Sequence, residues 1–214
     1  METKTIQLKI HLQETDCERI IQCPDYFSFE MLHYVIQESF GWANEHLYEF
    51  KVFKKNRRTP FAVIEKENDE EDSFFESTVE KLNVKDTLLN QFLNSEKKYL
   101  IIYEYDFGDS WQHLILFEKS LQFDENKQLV CCVGGSKKCP PEDCGGIPGY
   151  YNILDVLKKK RKNEDDNELL EWLGDYNPDD FDVAKTNDRL TCFTLKKETP
   201  KSPTKKRTNN KSKK

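Results

Sequence analysis

Tyr103-Glu104-Tyr105-Asp106-Phe107-Gly108-Asp109-Ser110-Trp111-Gln112-His113 is the stretch that decides the fold. Its middle is turn chemistry, because Gly supplies positive φ and an Asp beside it accepts bonds from the following amides. Runs rich in aromatic and β-branched residues flank that middle, which predicts an antiparallel strand pair over residues 99–106 and 111–118. A two-residue loop at Gly108-Asp109 pairs Asp106 with Trp111 and Glu104 with His113. In that register Glu104, Asp106, Trp111 and His113 share one face, and Tyr103, Tyr105, Leu114 and Leu116 take the other. A four-residue loop about the same centre keeps the pairing, whereas a three-residue loop turns every side chain over. A carboxylate beside an imidazole orients the ring and raises its basicity, which suits a metal ligand or a general base. The plainer reading is structural: Asp106, Gly108 and Asp109 build the turn, Trp111 packs, and His113 pairs across the strands with Glu104.

Working outward towards the N-terminus, residues 5–12 alternate, with Ile6, Leu8, Ile10 and Leu12 facing one way, which is a half-buried strand. A polar link leads to a second strand over residues 17–23, stopped by Pro24. Ser28 caps a helix whose Phe29, Leu32, Val35, Ile36 and Phe40 recur at helical spacing, and Gly41 ends it. A third strand is expected over residues 46–52, with His46 on the face of Tyr48, Phe50 and Val52. Hairpin then helix is how a β-grasp-like domain begins. Residues 65–72 hold six acids and one Lys, a solvated loop that lacks the Asp/Asn spacing and central Gly of a calcium-binding EF-hand. Residues 84–93 read as a short helix. Beyond the cysteines, amphipathic helices are expected around residues 150–157 and 167–173. A last one is expected to start at Asn177-Pro178-Asp179-Asp180, with a cap, Pro in the first turn and acids at the positive dipole end. The fold class is α+β, with a mixed or antiparallel sheet and C-terminal helices, expected as one domain over residues 1–195.

The second informative stretch runs from Cys131-Cys132 to Cys139-Pro140-Pro141-Glu142-Asp143-Cys144-Gly145-Gly146. Zinc takes four ligands in a tetrahedron and thiolates suit it. Adjacent cysteines on an extended chain point different ways, so the candidate set is Cys132, Cys139 and Cys144, with Cys131, His113 or a carboxylate as fourth ligand. Reduced buried thiols and redox chemistry are the alternatives. Pro140-Pro141 stiffens the loop and Gly145-Gly146 permits a sharp bend, so zinc here supplies rigidity without catalysis. A second candidate site uses His46, Asp106, Asp109 and His113 around Trp42 and Trp111. One imidazole pair with a carboxylate is a known metal set, provided His46 and His113 converge.

These motifs resemble the plasmid pRiA4b Orf-3-like family, whose members are labelled mobile-element passenger or resolvase-like proteins. The matching residues are 105–109 with Trp111 and His113, then Cys132, Gly135, residues 139–146, Gly149 and Tyr150. Leu32-His33, Gly41-Trp42, His46-Leu47 before Glu49-Phe50, Trp172-Leu173-Gly174, Pro178 and Phe181-Asp182 extend the likeness over residues 4–191. Similar proteins often carry a second His where this chain has Tyr48. The resemblance implies the fold and an association with mobile elements, and no catalytic residue.

The chain has 214 residues, of which 34% are charged and 12% aromatic. Each large aromatic side chain buries about 150–250 Å², so a core is feasible despite the charge. No run approaches the roughly 20 apolar residues needed to cross a bilayer, and Met1-Glu2-Thr3-Lys4 leads straight into a strand. A cytoplasmic setting with reduced thiols is therefore expected for the seven cysteines. Residues 196–214 carry nine Lys or Arg and one Glu, so the whole-chain charge of −6 becomes −14 once that +8 is set aside. So acidic a body repels a phosphate backbone. The tail is too polar to fold; it is a solubilising terminus or a weak electrostatic arm for nucleic acid. Neither a phosphate-cradling Gly-rich loop, a nucleophile elbow nor a His-Glu-x-x-His helix is present. Arg19, Arg57, Arg58, Arg161, Arg189 and Arg207 are dispersed, which excludes the clustered arginines of a resolvase. The expected function is a non-enzymatic, zinc-stabilised module binding an unknown protein or nucleic acid. A metal-dependent enzyme and a nucleic-acid accessory acting through the tail are the competing expectations.

Overall fold

The computed structural model describes residues 3–55, 57–66, 79–96 and 99–194. The basic tail and most of the acidic loop lie outside the described residues. The strands are β1 (Lys4–Leu12), β2 (Glu18–Pro24), β3 (Tyr48–Lys54), β4 (Ala62–Glu65), β5 (Glu80–Asn83), β6 (Tyr99–Tyr105), β7 (Trp111–Gln122) and β8 (Cys131–Ser136). The helices are α1 (Phe29–Phe40), α2 (Gly146–Lys158), α3 (Glu164–Leu173) and α4 (Val183–Leu190), with a 3-10 turn at Leu89–Gln91. The strands form one eight-stranded sheet in the order β5-β4-β3-β6-β7-β1-β2-β8. Among the described residues only β4 and β5 run parallel, so the fold is α+β with a mixed sheet.

The alternation in β1 does what its period dictates: Ile6, Leu8, Ile10 and Leu12 are all sealed in the core. Each such side chain contributes about 1.5–3 kcal/mol relative to exposure. The hydroxyl of Ser28 accepts the Met31 amide at 3.3 Å to start α1. Gly41, at φ 88°, ends the helix and returns its amide to Gln37 O. The apolar stripe of α1 packs on the sheet, with Phe29 meeting Phe50 of β3 edge-on at 5.0 Å.

At the other end of the sheet β8 is an edge, and α4 covers it. The Asn187 side chain accepts the Cys132 amide at 2.7 Å and donates to the Cys132 carbonyl at 2.9 Å. Among the described residues no helix is long and apolar enough to cross a membrane.

Four expectations are corrected. In the central hairpin Tyr105 pairs with Trp111, Glu104 with Gln112 and Tyr103 with His113. The loop is residues 106–110, closed by Ser110 N–H on Asp106 O at 2.6 Å, with Asp106 and Ser110 both at positive φ. This odd-length loop inverts the predicted faces. It buries Tyr103, Tyr105 and Trp111 completely and points Glu104 away from His113. Burying three large rings outweighs the predicted register, which would have turned two carboxylates inward.

The expected helix over residues 84–93 shrinks to the 3-10 turn. Val84 O and Thr87 O are instead committed to the amides of Glu30 and Phe29, two of the unsatisfied donors at the start of α1. The third strand starts at Tyr48, so His46 sits in a loop. The last helix starts at Val183, capped by Asp182 on Ala184 N and Lys185 N. Asn177 and Pro178 form a turn in which Pro178 O accepts the Lys138 amide.

Candidate functional site

Three loops meet where β6 turns into β7: residues 42–47 after α1, the hairpin loop 106–110, and residues 139–146 leading into α2. Trp42 anchors the first. Its indole N–H donates to Pro140 O at 3.0 Å and its ring stacks on Tyr105 at 5.0 Å. Glu142 ties the first loop to the third, accepting the Tyr105 hydroxyl at 2.6 Å and the Ala43 amide at 2.9 Å. Asp109 ties the second to the third, accepting the Gly145 amide at 3.2 Å, where a carboxylate also meets the positive end of α2. Gly146 makes that seat possible. At φ 65°, a Cβ placed on it would stand 2.6 Å from Asp109 O.

One donor from each loop then converges. His46 Nε2 lies 3.3 Å from Asp143 Oδ1 and 3.8 Å from Asp106 Oδ2. The nitrogen is itself buried, yet it makes no hydrogen bond. Asp106 is held from both sides, its amide on Leu47 O and its Oδ1 accepting Gly108 N–H at 2.9 Å. The Asp143 side chain is 70% exposed, so the group opens to solvent on that side. Among the described residues, His46, Asp106 and Asp143 are the one group of three metal-binding side chains with donor atoms all within 4.8 Å of one another. Bonds of about 2.0–2.2 Å to a tetrahedral ion place neighbouring donors roughly 3.3–3.6 Å apart. The two separations from His46 Nε2, 3.3 Å and 3.8 Å, are close to that.

Of the residues singled out in the sequence, Trp42, His46, Asp106 and Asp109 belong to this cluster. Glu104 faces the opposite side, bonded to Lys51 Nζ at 2.6 Å and to the Ser110 hydroxyl at 2.7 Å. Burial raises its pKa, but these bonds outweigh burial and bring it below the ordinary value. Trp111 and His113 are fully buried beneath the cluster. His113 is wedged edge-on against Phe40 and Trp42, and burial pushes its pKa down to about 3. Sealed and neutral, it reaches neither His46's carboxylates nor solvent.

Cys132, Cys139 and Cys144 do not form a ligand set. Strand β8 carries Cys132 to the sheet edge, where its thiol donates to Gly134 O at 3.1 Å. Cys139 is buried in the core, and burial first pushes its pKa well up. Cys144 stands over the start of α2, its pKa pushed up to about 11 by burial and then by Asp109. Among the described residues these three thiols do not gather as one close group of donors.

Sequence reasoning missed Asp143, Glu142 and Tyr105 as site residues. The signal is present in Pro140-Pro141-Glu142-Asp143, where two acids follow a stiff Pro-Pro pair beside the cysteines.

A sequence model of the plasmid pRiA4b ORF-3-like protein family matches residues 4–185. "Uncharacterized protein y4hQ" of Sinorhizobium fredii is 31% identical over 191 residues, covering 87% of this chain and 88% of that protein. Among solved structures, a protein of unknown function, MM3350, from Methanosarcina mazei Go1 superposes with a TM-score of 0.74 at 30% identity. That match covers 86% of this chain and 97% of the archaeal one.

Proposed function

The chain belongs to the plasmid pRiA4b ORF-3-like family, and we propose that it is a metal-dependent binding module whose cation is held by His46, Asp106 and Asp143. The observation that carries this is the His46 Nε2 atom, buried, without a hydrogen bond, and aimed between two carboxylate oxygens. One imidazole and two carboxylates form a three-ligand set suited to zinc, and such sets leave a position open for an outside oxygen. Closed structural sites use four protein ligands, so this arrangement favours presenting a metal over merely bracing a loop. Asp109 and Glu142 act one step back by fixing the loops from which the ligands project.

The test is calorimetric titration of chelator-treated protein with Zn²⁺, and with Mn²⁺ as a harder ion. One ion per chain is expected, with affinity lowered about 100-fold or more by His46→Ala and by Asp143→Asn. Zinc binding that survives both substitutions, or that is lost in Cys132→Ser and Cys139→Ser instead, sinks this assignment.

A further inference from the structure

Arg19 occupies an inward position of β2, among Ile21 and Cys23, and is only 2% exposed. Its Nε donates to Ser39 O at 2.9 Å, and its Nη1 donates to the carbonyls of Glu18, Ser136 and Lys137 at 2.7–2.9 Å. The rings of Phe181 and Phe40 pack against the guanidinium, their centroids 4.2 Å and 4.9 Å from Cζ. Among the described residues its Nη2 makes no hydrogen bond. No carboxylate among them pairs with the group either. Taking a charge out of water is costly unless a counter-charge compensates it. The four carbonyls, one of them at the negative end of α1, offset only part of that cost.

Three more cations gather at the same place. Arg189, Lys138 and Lys185 line a cleft of about 390 Å³ together with Arg19. Arg189 Nε donates to Glu38 O at 2.7 Å, and a Cβ placed on Gly41 would stand 3.8 Å from its Nη2. Both arginines therefore meet at the end of α1. Capping that helix accounts for the two Nε atoms and for neither lysine. Glu142, Asp180 and Asp182 also line the cleft, yet among the described residues none of them forms an ion pair with the four cations. Glu142 is committed to Tyr105 and Ala43, and Asp182 caps α4. Like charges drawn together without a carboxylate between them repel, and an outside anion relieves that repulsion. The volume lies within the roughly 300–1,000 Å³ of small-molecule sites. A second hollow of about 280 Å³ shares Lys138, Pro141 and Tyr176 with the first and runs on to Trp172, which is 53% exposed.

We propose that the two hollows form one binding site for a small phosphomonoester with an aromatic body, the phosphate held by Arg19 and Arg189 and the body lying towards Tyr176 and Trp172. A guanidinium matches phosphate oxygens through paired N–H groups, and a dianion answers more than one cation. The two rings give the body a surface on which to stack. This site goes beyond the metal reading and does not rest on it, because His46, Asp106 and Asp143 line neither hollow.

The test is calorimetric titration of the full chain, freed of metal by a chelator, with 1-naphthyl phosphate, 1-naphthoate, 1-naphthol and inorganic phosphate. Naphthyl phosphate is expected to bind at one site per chain, inorganic phosphate about ten-fold more weakly, and naphthol not measurably. Arg19 also holds the fold together, so the decisive substitution is at exposed Arg189. Arg189→Gln should weaken naphthyl phosphate about ten-fold, and Lys138→Gln about three-fold. Trp172→Ala should weaken naphthyl phosphate about three-fold while leaving inorganic phosphate unchanged. Circular dichroism checks that each variant is folded. Absence of saturable binding sinks the site, as does an affinity that Arg189→Gln and Lys138→Gln leave unaltered, which places the anion elsewhere on the chain. Naphthoate binding as tightly as naphthyl phosphate overturns the phosphate assignment, and inorganic phosphate doing so overturns the aromatic body.

Discussion

His33 and His46 lie on either side of the turn that ends α1, and their surroundings could hardly differ more. His33 is fully buried, with both ring nitrogens engaged. Asn44 Oδ1 can only accept, so the nitrogen 2.6 Å from it carries the proton, and the other accepts the Tyr103 hydroxyl at 2.8 Å. Gln37 completes the network by donating to that hydroxyl at 3.0 Å, and the ring lies flat on Tyr48 at 3.5 Å. Every polar atom of His33 is answered within the protein. His46 instead aims an unbonded nitrogen at two acids beside solvent. A histidine whose partners are complete is architecture, and one whose nitrogen faces carboxylates without a hydrogen bond suits the metal role proposed above.

That contrast can be broken first by truncation. His33→Ala empties buried volume and leaves Asn44, Tyr103 and Gln37 short of partners. A loss of about 3–4 kcal/mol is expected in urea unfolding. His46→Ala in metal-free protein should cost under about 1 kcal/mol. Equal losses would erase the distinction.

A second test is acid. Burial is the first cause that lowers the folded pKa of His33 to about 4 and of His113 to about 3, against 6.5 unperturbed. Between those values the unfolded chain binds protons that the folded chain refuses, so stability is full above about pH 6.5 and is lost as pH falls towards 3. The two together account for up to about 5 kcal/mol at the low end, at 1.36 kcal/mol per pH unit and discounted for relaxation. Glu104, with its folded pKa depressed, adds loss of the same sign only at the acid extreme. His113→Phe should flatten the slope of the unfolding midpoint between pH 6 and pH 4; an unchanged slope contradicts the assignment.

Gly146→Ala comes next. It places a methyl 2.6 Å from Asp109 O at a φ that L residues disfavour, so a loss of roughly 1–3 kcal/mol is expected. Because Gly146 seats the hairpin loop on α2, zinc affinity should fall as well. A stable variant with unaltered affinity would separate that seat from the proposed metal site. The smallest effect belongs to Glu104→Gln. Removing its pair with Lys51 should change stability by under about 1 kcal/mol and leave metal binding untouched, since the carboxylate faces away.

Much of this architecture was legible in the chain. β1 announces itself by alternation, and α1 by Ser28, its apolar stripe and Gly41. The hairpin's existence followed from its turn chemistry, but its register did not. Asp106 and Ser110 adopt left-handed backbone without being glycine, and no spacing rule shows that. β8 was missed because Cys-Cys-Val-Gly-Gly-Ser lacks alternation and pairs through a bulge. The site was half readable for a different reason. His46 and Asp106 sit near obvious signals, whereas Asp143 reaches them only through the return of the third loop across the hairpin.

Asn187 has a final consequence. A terminal strand displays free peptide groups on which another chain can grow. Here one carboxamide imitates a neighbouring backbone by offering both halves of a rung to Cys132. Sheet extension thus halts at a side chain acting as a counterfeit strand, and an alanine there would turn a finished boundary into a template for self-association.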